Sequence, residues 1–262
     1  MQRYILILFC ACFLSQALSK RLEYCITPYC GYRNIACNNN ISFSACPKEV
    51  AVVKMQKYIS YFSDTINVVR NKVATGKFRN LPKAARMARV VWSNELAWFA
   101  KLMLSNCESN LHQCMSSPNF YYIGSINQRI VVEHPITDTK YATLSNTLNG
   151  WLVNVKGISR RMTLKLPRAI KTASALNAAL LISERLTHFG CASVIYKLSN
   201  KRIYSFICTF STDIFPGQGL YKWGADAGSL CKHRDKRFKG LCSIQEKYSN
   251  NKPSPLGGNM FL

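Results

Sequence analysis

Apolar residues at Ile59, Phe62, Ile66, Val69 and Val73 recur at intervals of three and four, which places them on one stripe of a helix ending near Gly76. Ser93 is an N-cap residue type, Glu95 falls in the first turn after it, and Leu96, Ala100, Met103 and Cys107 share the buried face of this second helix. Leu144, Leu148, Trp151 and Val155 predict a third helix, and Leu176, Leu180 and Ile182 a fourth that runs towards Gly190. Then the period changes. Cys191 to Leu198 and Arg202 to Phe210 are rich in β-branched and aromatic residues and flank a Ser199-Asn200-Lys201 turn, the pattern of a hairpin. Cys191 and Cys208 stand at the ends of that hairpin, where facing strands bring side chains within bonding distance. Helices first and a hairpin later predict a mixed α+β domain.

The first residues follow a different rule. Met1-Gln2-Arg3 is a short basic start, Tyr4 to Leu14 is an apolar run, and Ala17-Leu18-Ser19 puts small residues at a cleavage site, so residues 1–19 read as a signal peptide cut before Lys20. The apolar run is shorter than the ~20 residues a membrane-spanning helix needs. No later segment is apolar for long enough either, so the mature chain is expected to be secreted, with no transmembrane segment. Cysteine usage fits that compartment: of 12 cysteines, cleavage removes Cys10 and Cys12, leaving an even set that can pair completely. Their positions divide the mature chain into a cysteine-rich extension at 20–46, a main domain at 47–230, a disulfide-bounded segment at 231–248 and a flexible tail at 249–262. Asn40-Ile41-Ser42 is an N-glycosylation sequon within the extension.

Charge narrows the function classes further. The chain carries 35 Lys and Arg against 12 Asp and Glu, a net charge of +23. Between Asp64 and Glu95 lie Arg70, Lys72, Lys77, Arg79, Lys83, Arg86 and Arg89 with no acid among them. Between Asp138 and Glu184 lie Lys140, Lys156, Arg160, Arg161, Lys165, Arg168 and Lys171, again with none. This excess is larger than solubility requires, so an anionic partner is expected: a sulfated glycan, an anionic lipid or microbial surface, or an acidic protein. Nucleic acid is not expected outside the cell. Acid/base chemistry is poorly supplied, because the four histidines, His112, His134, His188 and His233, are scattered, and Glu133-His134 is the one adjacent acid-histidine pair. Nucleophile-elbow, zinc-protease, phosphate-loop and dinucleotide motifs are absent from the sequence. Trp92, Trp98, Trp151 and Trp223 fall in patterned elements and read as core residues.

The order of short motifs resembles the CAP superfamily (cysteine-rich secretory, antigen 5 and pathogenesis-related 1 proteins), and within it the insect antigen 5, or venom allergen 5-like, branch. The resemblance rests on Tyr24-Cys25 to Cys30, Ala36-Cys37-Asn38 and Cys46; Asn67-Val-Val-Arg70-Asn-Lys-Val-Ala74-Thr-Gly76; Leu81-Pro-Lys-Ala-Ala-Arg-Met87; and Val91-Trp92-Ser-Asn-Glu95-Leu96-Ala97. Gly190-Cys191-Ala192, Ile207-Cys208, Leu220-Tyr221-Lys-Trp-Gly224 and Leu241-Cys242 follow in the same order. It covers nearly all of the mature chain and implies a disulfide-stapled α-β-α sandwich. The family pattern pairs Cys25 with Cys37, Cys30 with Cys114 and Cys46 with Cys107, which leaves Cys231 and Cys242 for each other.

The family's central cleft carries two histidines and two acidic or amide residues able to hold a divalent metal. Carried over residue by residue, those positions fall on Leu111, Ser125, Asn154 and Asn177, none of them a customary zinc ligand, so neither a metal nor another cofactor is expected. What the resemblance implies is a secreted, non-enzymatic protein that binds extracellular partners, in the setting of venom, salivary or reproductive secretion. A carrier of small lipids or sterols is the alternative, and a hydrolase is a third class that the lost cleft residues disfavour.

Overall fold

The computed structural model describes residues 23–47, 49–105, 107, 113–132, 140–170, 172–199 and 201–249. The expected signal peptide, Leu111, His112, the Glu133-His134 pair, Lys171 and nearly all of the tail lie outside them. Five strands, β1 (Ala51–Val52), β2 (Val91–Trp92), β3 (Gly124–Val132), β4 (His188–Leu198) and β5 (Lys201–Phe210), form one sheet. The helices are α1 (Ile59–Ala74), α2 (Asn94–Met103), α3 (Lys140–Val153), α4 (Arg160–Leu164) and α5 (Ala173–Leu181), with a 3-10 turn at Asn154–Gly157 between α3 and α4.

The sheet has the order β1-β4-β5-β3, with β2 pairing parallel to the start of β4. β4 and β5 form the antiparallel hairpin, with Cys191 directly opposite Cys208. Alternation decides which face each residue serves. Phe189, Cys191, Tyr204, Phe206, Cys208 and Phe210 pack with α1, α3 and α5 through Phe62, Ile66, Leu148, Trp151 and Leu181. Ala192, Val194, Tyr196, Ile203 and Ile207 point the other way, onto α2 through Leu96, Phe99, Ala100 and Met103. Burial on both faces explains why these strands read as continuous apolar runs, and the layers are those of an α-β-α sandwich.

Local chemistry fixes the elements. Ser93 Oγ accepts the Leu96 amide at 3.3 Å, capping α2, and Thr172 does the same for α5 through Ala175 at 3.3 Å. Gly190 lies where α2 crosses β4, and a Cβ there would overlap the backbone of Ser93, Leu96 and Ala97. A third apolar cluster joins the end of α1 and α5 to the region around α4, through Val73, Leu81, Val155, Ile158, Leu166 and Tyr221.

Among the described residues five disulfides join Cys25 to Cys37, Cys30 to Cys114, Cys46 to Cys107, Cys191 to Cys208 and Cys231 to Cys242. Two of them tie the N-terminal extension to the segment after α2, and Tyr24 adds ring contacts to Trp98 and Phe99 at 5.2 and 5.7 Å. Each such bond contributes about 2–4 kcal/mol by restricting the unfolded chain.

Two of these expectations need correction, and one strand was missed. Cys107 does not continue α2, which ends at Met103; it sits beyond the helix at a φ of 55°. The fourth expected helix stops at Leu181 rather than running towards Gly190, because residues from His188 onward pair as β4. The nine-residue strand β3 was not legible at all, since Asn127, Gln128 and Arg129 are exposed and break the apolar pattern.

Candidate functional site

The two acid-free basic runs meet different fates. Arg70 is not a surface residue: it is fully buried on α1, and all five of its N–H donors reach carbonyl oxygens. Nε and Nη2 donate to Ala88 at 3.1 and 2.8 Å, Nη1 to Leu181 and Ser183 at 2.7 and 3.0 Å, and Nη2 also to Leu186 at 3.2 Å. Burial lowers its proton affinity to about 9, so the group stays cationic at neutral pH and serves as an internal cross-link.

Other members of the first run are also engaged. Arg86 donates to Glu246 from Nε at 2.9 Å and Nη2 at 2.6 Å, with its guanidinium 4.4 Å over the Tyr248 ring. Arg89 pairs with Asp235 at 2.9 Å, and Lys83 with Asp226 at 3.4 Å. The Arg86 and Arg89 contacts clamp the C-terminal segment onto the body of the protein. Lys72, Lys77 and Arg79 remain exposed.

The second run stays open to solvent. Lys140, Lys156, Arg160, Arg161, Lys165 and Arg168 are all exposed, and the last five form no ion pair among the described residues. They surround α4, a helix that was not legible in the sequence, although Ser159 is the cap that a search for short helices would have found. Ser159 Oγ accepts the Met162 amide at 3.3 Å. Thr163 is fully buried; its carbonyl accepts the Leu220 amide at 2.9 Å, and its hydroxyl accepts Trp223 Nε1–H at 3.0 Å. Gly219 passes so close beneath that a Cβ would lie 2.8 Å from the Leu164 carbonyl oxygen. Trp223, expected in the core, is half-buried and carries the Arg160 guanidinium 4.6 Å over its ring. Asn80 brings the first run alongside by donating 2.7 Å to the Ile158 carbonyl, next to exposed Arg79.

Of the cleft positions named from the sequence, Ser125 lies on β3 opposite Thr209, Asn154 opens the 3-10 turn after α3, and Asn177 lies on α5. The elements that carry them are neighbours: α5 packs on that turn, and Leu180 of α5 lies against Gly124 at the start of β3. All three side chains are half-buried. A hydroxyl and two carboxamides include none of the histidine, thiolate or carboxylate ligands customary for zinc. Among the described residues no group of three His, Cys, Asp or Glu side chains comes together elsewhere.

A groove of about 390 Å³ lies against the C-terminal segment, lined by Arg89, Phe120, His188, Ile244 and Tyr248 among others. His188 Nδ1 is 2.9 Å from Thr187 Oγ1, and its ring packs 5.4 Å from Phe120. Burial lowers the imidazole's proton affinity, and the nearby Glu95 only partly opposes this. Glu95 itself accepts from Tyr24 and Asn119 at 3.2 and 3.0 Å. The groove depends on residues 243–249 folding back, which no local pattern announces. Asn40, the sequon residue, is exposed.

The model of the CAP (cysteine-rich secretory protein) family matches residues 63–210. Among characterised proteins, tabinhibitin 6 of Tabanus yao is 28% identical over 94% of this chain and 96% of its own length. Tablysin 15 of the same organism is likewise 28% identical, over 94% and 96%. Among solved structures, NaASP2 with Zn2+ superposes with a TM-score of 0.55 at 21% identity, covering 76% of this chain and 100% of that one. BmVAL-1 gives 0.56 at 15% identity, covering 72% and 94%. At such identities the structural likeness speaks for the fold alone.

Proposed function

The chain belongs to the CAP family of cysteine-rich secretory proteins, and from that premise we propose that it is a secreted, non-enzymatic binding protein that engages anionic extracellular partners through the face of α4. The observation that carries this reading is the set Lys156, Arg160, Arg161, Lys165 and Arg168, exposed together and without an acidic partner among the described residues. Arg86, Arg89 and Arg237, by contrast, are each paired with a carboxylate. A rigid element limits the ordering cost of binding to the side chains, because the backbone that carries them is already fixed. The five disulfides and the pinned underside of α4 supply that rigidity. A non-enzymatic role is supported by the residues at the cleft positions, Ser125, Asn154 and Asn177, which supply no histidine, thiolate or carboxylate to ligate zinc or to act as a base.

Binding to immobilised heparin as a function of salt tests the reading. Exposed charge contacts are screened over about 8 Å at physiological ionic strength, so affinity should fall steeply as salt rises. A flat salt dependence would remove the electrostatic face as the binding element.

A further inference from the structure

We propose that the α4 face docks on an anionic lipid bilayer, with Leu164 entering the headgroup region and Arg160, Arg161 and Lys165 facing the lipid anions. The inference rests on the anion-binding reading of that face and commits it to one partner. At about 100° per residue, Arg160, Leu164 and Arg161 fall within one arc of about 100°, and exposed Lys165 follows as the extended C-cap residue. Met162 and Thr163 fall on the opposite side, where Thr163 is fully buried. Leu164 is 55% exposed in the middle of that basic arc.

An exposed leucine between cations distinguishes the candidate partners. A sulfated glycan presents anions and hydroxyls and gains nothing from it. A bilayer interface presents anionic headgroups over apolar chains, and rewards both kinds of side chain at once. Trp223, half-buried beside the helix under Arg160, adds an aromatic ring of the type enriched at membrane interfaces. The nearest acid in that loop, Asp226, is held by Lys83 at 3.4 Å. No helix among the described residues is long and apolar enough to cross a membrane, so the contact proposed is peripheral.

The experiment compares partition of the full mature chain onto vesicles of phosphatidylcholine alone and of phosphatidylcholine mixed with phosphatidylserine, with heparin retention measured in parallel. The mixed vesicles should bind and the neutral ones should not. Arg160→Gln with Arg161→Gln should lower both vesicle and heparin binding, by about fivefold per charge on vesicles. Leu164→Ser should lower vesicle partition about three- to tenfold and leave heparin elution unchanged, and Leu164→Phe should raise partition. Heparin retention without vesicle binding, or vesicle binding indifferent to residue 164, would overturn the lipid proposal and leave the anion-binding reading standing. Loss of both activities from the unmutated chain would overturn both.

Discussion

Asn80 Nδ2 donates to the carbonyl oxygen of Ile158 at 2.7 Å, and this bond joins two acid-free segments that are 78 residues apart in the chain. It holds the turn that carries Lys77 and Arg79 beside the turn that precedes α4. The bond brings part of the first basic run next to the second.

Replacing Asn80 with Ala should cost about 1 kcal/mol of unfolding free energy, the net value of one such hydrogen bond. It should also weaken heparin binding, because Arg79 is no longer held next to the second run. Urea unfolding and heparin elution together check this, and a variant unchanged in both would mean that the two runs act independently.

Arg70 is the opposite case. Arg70→Met removes five hydrogen bonds to buried carbonyls and leaves Ala88, Leu181, Ser183 and Leu186 without that partner. At about 1–3 kcal/mol for each buried group left unsatisfied, the loss should be at least about 3 kcal/mol. Denaturant unfolding reads it directly, and a loss below about 1 kcal/mol would show that the carbonyls find other donors.

Acid should act on the C-terminal clamp. Burial would raise the proton affinity of Glu246, but the hydrogen bonds from Arg86 and from the backbone of His233 and Lys232 outweigh it and hold the carboxyl below its ordinary 4.5. A depressed folded value means that the ionised form favours the native state. The contribution is present above 4.5, the unfolded value, and is lost as pH falls through the lower folded one. Glu246→Gln should therefore cost about 2 kcal/mol at pH 6 and converge on the unmutated protein in acid. A constant difference across that range, in chemical unfolding, would place the contribution elsewhere.

Much of the fold was readable because it follows from periodicity: the stripe on α1, the Ser93 cap and the β4–β5 hairpin each follow from spacing within one segment. The site was less readable because its determinants lie between segments. A linear count of charge treats Arg70 and Arg160 alike, yet one is enclosed by carbonyls from residues 88, 181, 183 and 186, and the other lies over Trp223. Likewise α4 is too short for a periodic signal, and what makes it a face is Gly219 and Thr163 beneath it. β3 escaped notice because its exposed centre is polar, so the ladder to β5 holds it in place rather than its own pattern.

The most direct test compares two sets of four neutralised cations in heparin elution at graded salt. One set is Arg160, Arg161, Lys165 and Arg168 on the proposed face. The other is Lys232, Arg234, Lys236 and Lys239, also exposed, in the C-terminal segment; Arg237 is left in place because it pairs with Asp64 at 2.7 Å. Both sets change the net charge equally, so a diffuse attraction to the whole molecule predicts equal losses. The α4 set should elute at markedly lower salt than the C-terminal set, with both proteins retaining the unfolding midpoint of the parent. Equal shifts from the two sets would contradict a binding face at α4.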